Sequence, residues 1–154
     1  MIVRRNQKLI TAGPQLESEA ISASSVPPGR RESVRRLIGI VEDDESVRNA
    51  LSSFFRSLGL RCAVFASSEA FLDSGRLGET DCVVLDVRLP GASGLDLHRR
   101  LLAAHSRLPV IFVSGNPDAD VCRRALEQGA IAFLGKPFPE ERMLAALRAA
   151  LKTT

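Results

Sequence analysis

Acidic side chains stand at the ends of two apolar runs. Glu42, Asp43 and Asp44 follow one run, and Asp86 closes another, directly before the loop VRLPGASG. Carboxylates brought close together repel one another, so a site that gathers them favours a divalent cation. Their hard oxygen atoms suit Mg²⁺, which leaves coordination positions for water and a phosphoryl group. An aspartate can also attack phosphorus and form an acyl phosphate, with Mg²⁺ neutralising charge on the transferred oxygens.

Two complementary polar groups end later apolar runs. Ser114 closes VIFVS, and Lys136 follows AFLG. A hydroxyl can donate a hydrogen bond to a phosphoryl oxygen, and an ammonium can pair with a carboxylate or with the phosphoryl group. Each residue alone has an ordinary explanation, because acidic residues often cap helices or lie in solvent. Four run ends that carry complementary groups together favour a functional site.

The elements that must position these residues alternate along the chain. Five apolar segments are predicted as strands: LIGIV, LRCAVFA, CVVLDV, LPVIFVSG and AIAFLGK. Helical spacing follows each of them, beginning at Ser46, at Ser67 or Ser68, at Gly94, near Asp118 and at Glu140. This alternation predicts an α/β fold, a doubly wound five-stranded parallel sheet with helices on both faces. Ligands of such sheets bind beyond the carboxyl ends of the strands.

Composition and charge predict one soluble domain behind a flexible basic tail. The chain has 154 residues, of which 45% are hydrophobic and 25% charged, as is typical of a globular domain. Residues 1–36 hold seven basic and three acidic side chains, a net charge of +4. The whole chain has a net charge of +3, so the remainder carries 3 − 4 = −1. Residues 1–35 are rich in Ser, Pro and Arg and bury too little apolar surface to fold, so they are predicted to be a tail and 36–154 the domain. The basic pI therefore does not indicate a nucleic-acid partner.

Cysteine usage and the lack of targeting segments predict a cytoplasmic protein. Cys62, Cys82 and Cys122 show no metal-like spacing, which is typical of thiols in a reducing compartment. No stretch approaches the roughly 20 apolar residues of a membrane span. The first ten residues also lack the apolar centre of a secretory signal. We therefore expect no membrane partner.

Four motifs resemble the receiver domain of bacterial two-component response regulators, the CheY-like superfamily. They are IGIVEDDESVR, VVLDVRLPGASGLDL, IFVSGN and AFLGKPF, in that family's order and spacing, and the resemblance covers residues 36–152. It implies a flavodoxin-like (βα)5 fold, a phosphoacceptor signalling domain rather than an enzyme, and Mg²⁺ as cofactor. The implied partners are a histidine kinase or phosphotransfer protein and an unknown output protein.

The resemblance also implies a role for each metal-site residue. Asp86 would be the phosphoacceptor. Asp43 would bind Mg²⁺ directly and Glu42 through water, with the backbone carbonyl of Arg88 as a further ligand. Asp44 falls outside the family's acid pair and is expected in a loop or a helix cap.

The remaining motif residues are implied to bind and report the phosphoryl group. Ser114 would donate a hydrogen bond to it, and Lys136 would form an ion pair with it. The peptide between Lys136 and Pro137 is expected to be cis. Phe133 matches the family's aromatic switch position, although core packing explains it equally well. Phosphorylation would change the partner preference of the face made by the fourth helix, fifth strand and fifth helix, in a monomer or a phosphorylation-dependent dimer.

Three alternatives stay open at this point. Taken as complete, the chain ends without room for a helix-turn-helix, so we expect a stand-alone receiver with no direct DNA binding. It could instead be the truncated receiver of a transcriptional regulator with a LuxR-type DNA-binding domain, or an interaction module that needs no phosphorylation. The third alternative is an enzyme, such as a phosphatase of similar topology. Such an enzyme would place an acid two residues after its nucleophile, and Arg88 at that position disfavours this alternative.

Deletion of residues 1–35 is expected to leave folding and phosphorylation intact, because this segment holds none of the site motifs. Thermal unfolding followed by circular dichroism and labelling with acetyl phosphate would measure the two properties. Loss of either property would show that the segment packs on the domain.

Overall fold

A computed structural model of the chain describes residues 35–152, so the predicted tail lies almost wholly outside the described residues. Strands and helices alternate in the order β1 (Leu37–Val41), α1 (Glu45–Ser57), β2 (Arg61–Phe65), α2 (Ser68–Asp73), β3 (Cys82–Asp86), α3 (Gly94–Ala103), β4 (Val110–Ser114), α4 (Ala119–Glu127), β5 (Ala132–Gly135) and α5 (Glu140–Lys152). All the predicted strands and helices are present. A short 3₁₀ turn at Leu77–Glu79, which the sequence did not predict, precedes β3.

The strands form one parallel sheet in the order β2-β1-β3-β4-β5. This arrangement confirms the predicted doubly wound α/β fold. The chain moves from β1 outward to β2, then returns past β1 to β3, so the strand order reverses beside β1 and β3. Because all strands run in one direction, their carboxyl ends meet at one edge of the sheet.

The three central strands, β1, β3 and β4, are buried on both faces of the sheet, which explains their continuous apolar sequences. Along β3, Cys82 and Val84 belong to a core with α1 and α5, whereas Val83 and Leu85 belong to a core with α2, α3 and α4. Neighbouring residues of one strand therefore enter opposite cores, and neither set can be polar without burying an unpaired group. Asp86, the next residue, is the first position at which this constraint ends.

Helix α1 begins one residue before the predicted start. The Asp44 carboxylate accepts hydrogen bonds from the amides of Ser46 at 2.9 Å and Val47 at 3.3 Å, and so caps the helix from outside it. These bonds satisfy amides that have no partner within the helix. At the other end, Gly59 adopts φ +85°, as the predicted C-terminal glycine requires.

Helix α3 begins in close contact with the end of β3. A Cβ atom on Gly94 would overlap the backbone carbonyl oxygen of Asp86, so only glycine allows this approach. Ser93 and Asp96 form a capping box. The Ser93 hydroxyl accepts a hydrogen bond from the Asp96 amide, and the Asp96 carboxylate accepts one from the Ser93 amide, each at 3.1 Å. The start of α3 is thereby fixed relative to Asp86.

Cys62, Cys82 and Cys122 are free thiols, as predicted. Burial raises the pKa of the Cys82 thiol to about 12, which leaves it protonated and unreactive at neutral pH. Among residues 35–152, none of the helices combines the length and apolar character needed to cross a bilayer.

Gly94→Ala is expected to lower the free energy of unfolding by about 1–3 kcal/mol, because the added methyl group must push α3 away from Asp86. Gly78→Ala is the matched control, since a Cβ there meets no atom within 4 Å. Urea unfolding would compare the two variants. Equal stabilities would contradict the close approach at Gly94.

Candidate functional site

Three carboxylates gather where β1 and β3 end. Glu42, Asp43 and Asp86 each offer an oxygen atom, and these atoms lie within 4.8 Å of one another. Glu42 and Asp86 are 1% and 5% exposed, whereas Asp43 is exposed. The Glu42 amide donates to the carbonyl of Phe65 at 3.0 Å and so continues the pairing with β2 one residue past the end of β1. This pairing explains why a charged residue after the strand remains buried.

Lys136 joins the carboxylates from the end of β5. Its Nζ atom donates hydrogen bonds to Glu42 Oε1 at 2.7 Å and to Asp86 Oδ2 at 3.1 Å. The sequence predicted that Lys136 could pair with a carboxylate or with a phosphoryl group. It placed Lys136 and Glu42 at the same edge of the sheet but did not indicate which carboxylate Lys136 contacts, because the two residues are 94 positions apart.

The pKa values of Glu42 and Lys136 reflect their burial and the hydrogen bond between them. Burial raises the pKa of Glu42, and the hydrogen bond from Lys136 offsets that rise only in part. For Lys136, burial favours the neutral amine, but hydrogen bonds to Glu42 and Asp86 outweigh it and raise the pKa. The ammonium therefore stays charged at neutral pH and donates to both carboxylates.

Backbone groups around the carboxylates are held by hydrogen bonds. The Arg88 amide donates to Asp86 Oδ1 at 3.0 Å, so protein groups contact both oxygens of that carboxylate. The Arg48 guanidinium donates to the carbonyl of Glu42 at 2.9 Å and lies 3.4 Å from that of Asp43. Sequence reasoning missed Arg48. Its position in the first turn of α1, directly after the acidic loop, is the signal that could have revealed it.

The other predicted site residues lie on the neighbouring strands. Ser114 lies at the end of β4, one position beyond the strand partner of Asp86, and is 2% exposed. Its hydroxyl accepts a hydrogen bond from the Asn116 amide at 3.2 Å. Phe133 is half-buried, with its ring 6.0 Å from that of Phe112. The peptide between Lys136 and Pro137 is cis, as expected.

The chemistry of this acidic cluster fits Mg²⁺. Three carboxylates and one ammonium leave a formal charge of −3 + 1 = −2, which a divalent cation balances. All the donors are hard oxygens, the ligand type that Mg²⁺ prefers, and they lie close enough together to share one cation, directly or through water. Asp44 stays outside the cluster because its carboxylate caps α1.

Comparisons with known proteins identify the family. The model of the response regulator receiver domain matches residues 38–148. The chain belongs to the response regulator receiver family. Receiver domains are signalling domains of two-component systems that interact with histidine kinases, and phosphorylation and magnesium are typical of them.

Individual relatives agree with this assignment. The response regulator protein TmoT of Ectopseudomonas mendocina is 49% identical over 117 residues, which cover 75% of this chain and 53% of TmoT. The transcriptional regulatory protein FixJ of Azorhizobium caulinodans is 39% identical over 114 residues, 74% of this chain and 54% of FixJ. The receiver domain thus spans about half the length of these relatives.

A solved structure shows the same architecture. The non-phosphorylated HemR receiver domain from Leptospira biflexa superposes with a TM-score of 0.71 at 29% identity, covering 78% of this chain and 97% of that one. The likeness extends over nearly the whole of that domain, so the strand ends that gather the carboxylates belong to a shared fold.

Lys136→Met is expected to lower the free energy of unfolding by about 2 kcal/mol at pH 7, because two buried carboxylates lose their counter-charge. The loss should shrink as the pH falls to 5. Without Lys136 the pKa of Glu42 rises further in the folded state, and a carboxyl with a raised folded pKa destabilises the fold progressively as the pH rises from its unfolded pKa to its folded pKa.

Urea unfolding at both pH values, with and without MgCl₂, would measure this effect, and Mg²⁺ should restore part of the stability. Lys152→Met is the control, because it removes an exposed lysine at the end of α5. A stability loss that stayed constant between pH 5 and 7 would contradict the shared ion pair.

Proposed function

We propose that this chain is the phosphoacceptor of a two-component system, with Asp86 as the residue phosphorylated. The observation that carries the proposal is the buried Asp86 carboxylate, which shares the Lys136 ammonium with Glu42 and lies beside the exposed Asp43. A structural ion pair needs no third carboxylate, whereas clustered carboxylates with an exposed member favour a divalent cation. The phosphodonor is a phosphohistidine of a histidine kinase or a phosphotransfer protein.

In the proposed transfer, a carboxylate oxygen of Asp86 attacks the phosphorus atom. The new P–O bond forms as the P–N bond to the donor imidazole breaks, and its electron pair stays on the imidazole nitrogen. Asp43, Asp86 and the Arg88 carbonyl would hold Mg²⁺, with Glu42 bound through water. When bound, Mg²⁺ neutralises charge on the transferred oxygens.

Lys136 and Ser114 would then hold the product. The ammonium of Lys136 exchanges part of its contact with Asp86 for a phosphoryl oxygen, and the Ser114 hydroxyl donates to another. We propose that Phe133 follows Ser114 inward and that the face of α4, β5 and α5 changes its partner preference as a population shift. The output is a protein contact, made by a monomer or by a dimer formed on phosphorylation.

A second candidate is that residues 36–154 are the receiver part of a longer transcriptional regulator. Its support is that the chain spans about half of FixJ, a transcriptional regulatory protein. The chemistry at Asp86 would be the same, and only the output would differ. A reading frame that continues past Thr154 into a helix-turn-helix would decide for this candidate.

We further propose that the chain turns over no outside substrate and acts in the cytoplasm. A phosphatase of this topology needs an acid two residues after its nucleophile to protonate the leaving group, and Arg88 occupies that position. A guanidinium cannot serve as a general acid at neutral pH, because it does not release its proton there.

Asp86→Asn is expected to abolish labelling by acetyl phosphate in the presence of MgCl₂, because an amide oxygen is a poor nucleophile. Asp43→Asn is expected to weaken Mg²⁺ binding at least about tenfold. Asp44→Asn is the matched control, since Asn caps a helix as well as Asp does and the residue lies outside the cluster. Intact-protein mass spectrometry and calorimetric titration would measure the two effects.

Wild-type protein that shows neither labelling nor a Mg²⁺-dependent response to beryllofluoride would overturn the phosphoacceptor proposal. It would favour the phosphorylation-independent interaction module instead. Labelling that persists in Asp86→Asn would place the phosphorylated residue elsewhere.

A further inference from the structure

Two consecutive residues of α2 bind both backbone polar groups of Ala92, in the loop between β3 and α3. The Ser68 hydroxyl donates to the Ala92 carbonyl at 3.1 Å, and the Ala92 amide donates to Glu69 Oε2 at 3.0 Å. We call this pair of hydrogen bonds the α2 clamp. It joins residues 23 and 24 positions apart and lies outside the acidic cluster.

The local sequence is arranged to allow the α2 clamp. Ser67 caps α2 by accepting the Ala70 amide at 3.0 Å, which leaves the next two side chains to face the loop. Ser68 is fully buried, so its hydrogen bond is shielded from water. The clamp also lowers the pKa of Glu69, because its carboxylate accepts the Ala92 amide, and Glu69 is therefore ionised at neutral pH.

Gly91 supports the same interpretation. It adopts φ +72°, and a Cβ atom there would lie 2.9 Å from a carboxylate oxygen of Glu69. The glycine thus serves two purposes: it permits the left-handed turn, and it leaves space for Glu69 to reach the next amide. A turn alone would explain the positive φ, but not the carboxylate lying against the glycine.

The clamped loop carries the Arg88 carbonyl. Its first part is held by the hydrogen bond from the Arg88 amide to Asp86, and its ends are tied by the Gly94 amide, which donates to the Val87 carbonyl at 3.0 Å. The α2 clamp fixes the far side of the same loop. Three anchors leave the backbone few alternative conformations, and a metal ligand is effective only when it is held close to its binding geometry.

We propose that Ser68 and Glu69 are positioning residues for the cation: the α2 clamp holds the β3–α3 loop so that the Arg88 carbonyl completes the site beside Asp43 and Asp86. This inference rests on the proposed function, since it assigns that carbonyl as a ligand. Because coupling free energies are reciprocal, cation binding also stabilises the α2 clamp.

Calorimetric titration of the full chain with MgCl₂ tests the inference through four proteins. They are the wild type, Glu69→Ala, Glu69→Gln and Asp73→Ala. Glu69→Ala removes both the acceptor and the charge, whereas Glu69→Gln keeps an acceptor oxygen without the charge. Asp73→Ala removes an exposed carboxylate from the same helix. We expect Glu69→Ala to raise the Kd for Mg²⁺ about tenfold, and the other two variants to stay close to the wild type.

Hydrogen exchange of the Ala92 amide without Mg²⁺ gives a second measurement, which should be faster in Glu69→Ala than in Glu69→Gln. Ser68→Ala should weaken Mg²⁺ binding in the same direction as Glu69→Ala. Thermal unfolding without Mg²⁺ shows that each variant is folded; Glu69 is exposed, so its replacement leaves the core intact.

The outcomes separate the two proposals. Wild-type affinity in Glu69→Ala would overturn the positioning role. Equal weakening in both Glu69 variants would do the same, because it would trace the effect to charge alone. Wild-type protein that binds no Mg²⁺ would overturn the proposed function, and the positioning role with it.

Discussion

The hydrogen-bonded ion pair that Lys136 makes with Glu42 and Asp86 is the interaction on which this site depends. Removing a carboxylate or an ammonium from water costs several kcal/mol, and only close, hydrogen-bonded contact offsets that cost. Here the ammonium lies 2.7 and 3.1 Å from the two carboxylates and keeps 23% of its side chain exposed. The arrangement stabilises two buried charges while leaving the cluster with more negative than positive charge.

That imbalance is possible because a parallel sheet brings its strand ends to one edge. Glu42, Asp86 and Lys136 lie at the ends of β1, β3 and β5, and the apolar residues of β1 and β3 are buried in the two cores. A polar side chain is tolerated only where each strand leaves the cores. The same packing that excludes polar groups from the strands therefore concentrates them at the site.

The loops of the site are positioned by side chains from neighbouring helices. Arg48 of α1 binds the carbonyl of Glu42, and Ser68 and Glu69 of α2 bind the backbone of Ala92. Loop backbone groups have no ladder partners, so they need side-chain hydrogen bonds to stay in one conformation. The positions of the loops around the acidic cluster thus depend on α1 and α2, which lie on opposite faces of the sheet.

The sequence by itself determined the alternation of strands and helices, the parallel sheet, and the placement of Asp86, Ser114 and Lys136 at strand ends. These follow from local patterns: continuous apolar runs, helical spacing and residue types at the boundaries. Only the tertiary structure decided which of these groups touch. The contact between Lys136 and Glu42 spans 94 positions. The α2 clamp depends on Gly91, because a Cβ atom there would meet the Glu69 carboxylate of α2. Local sequence patterns do not predict the distance between such residues, because that distance is fixed by how the helices pack on the completed sheet.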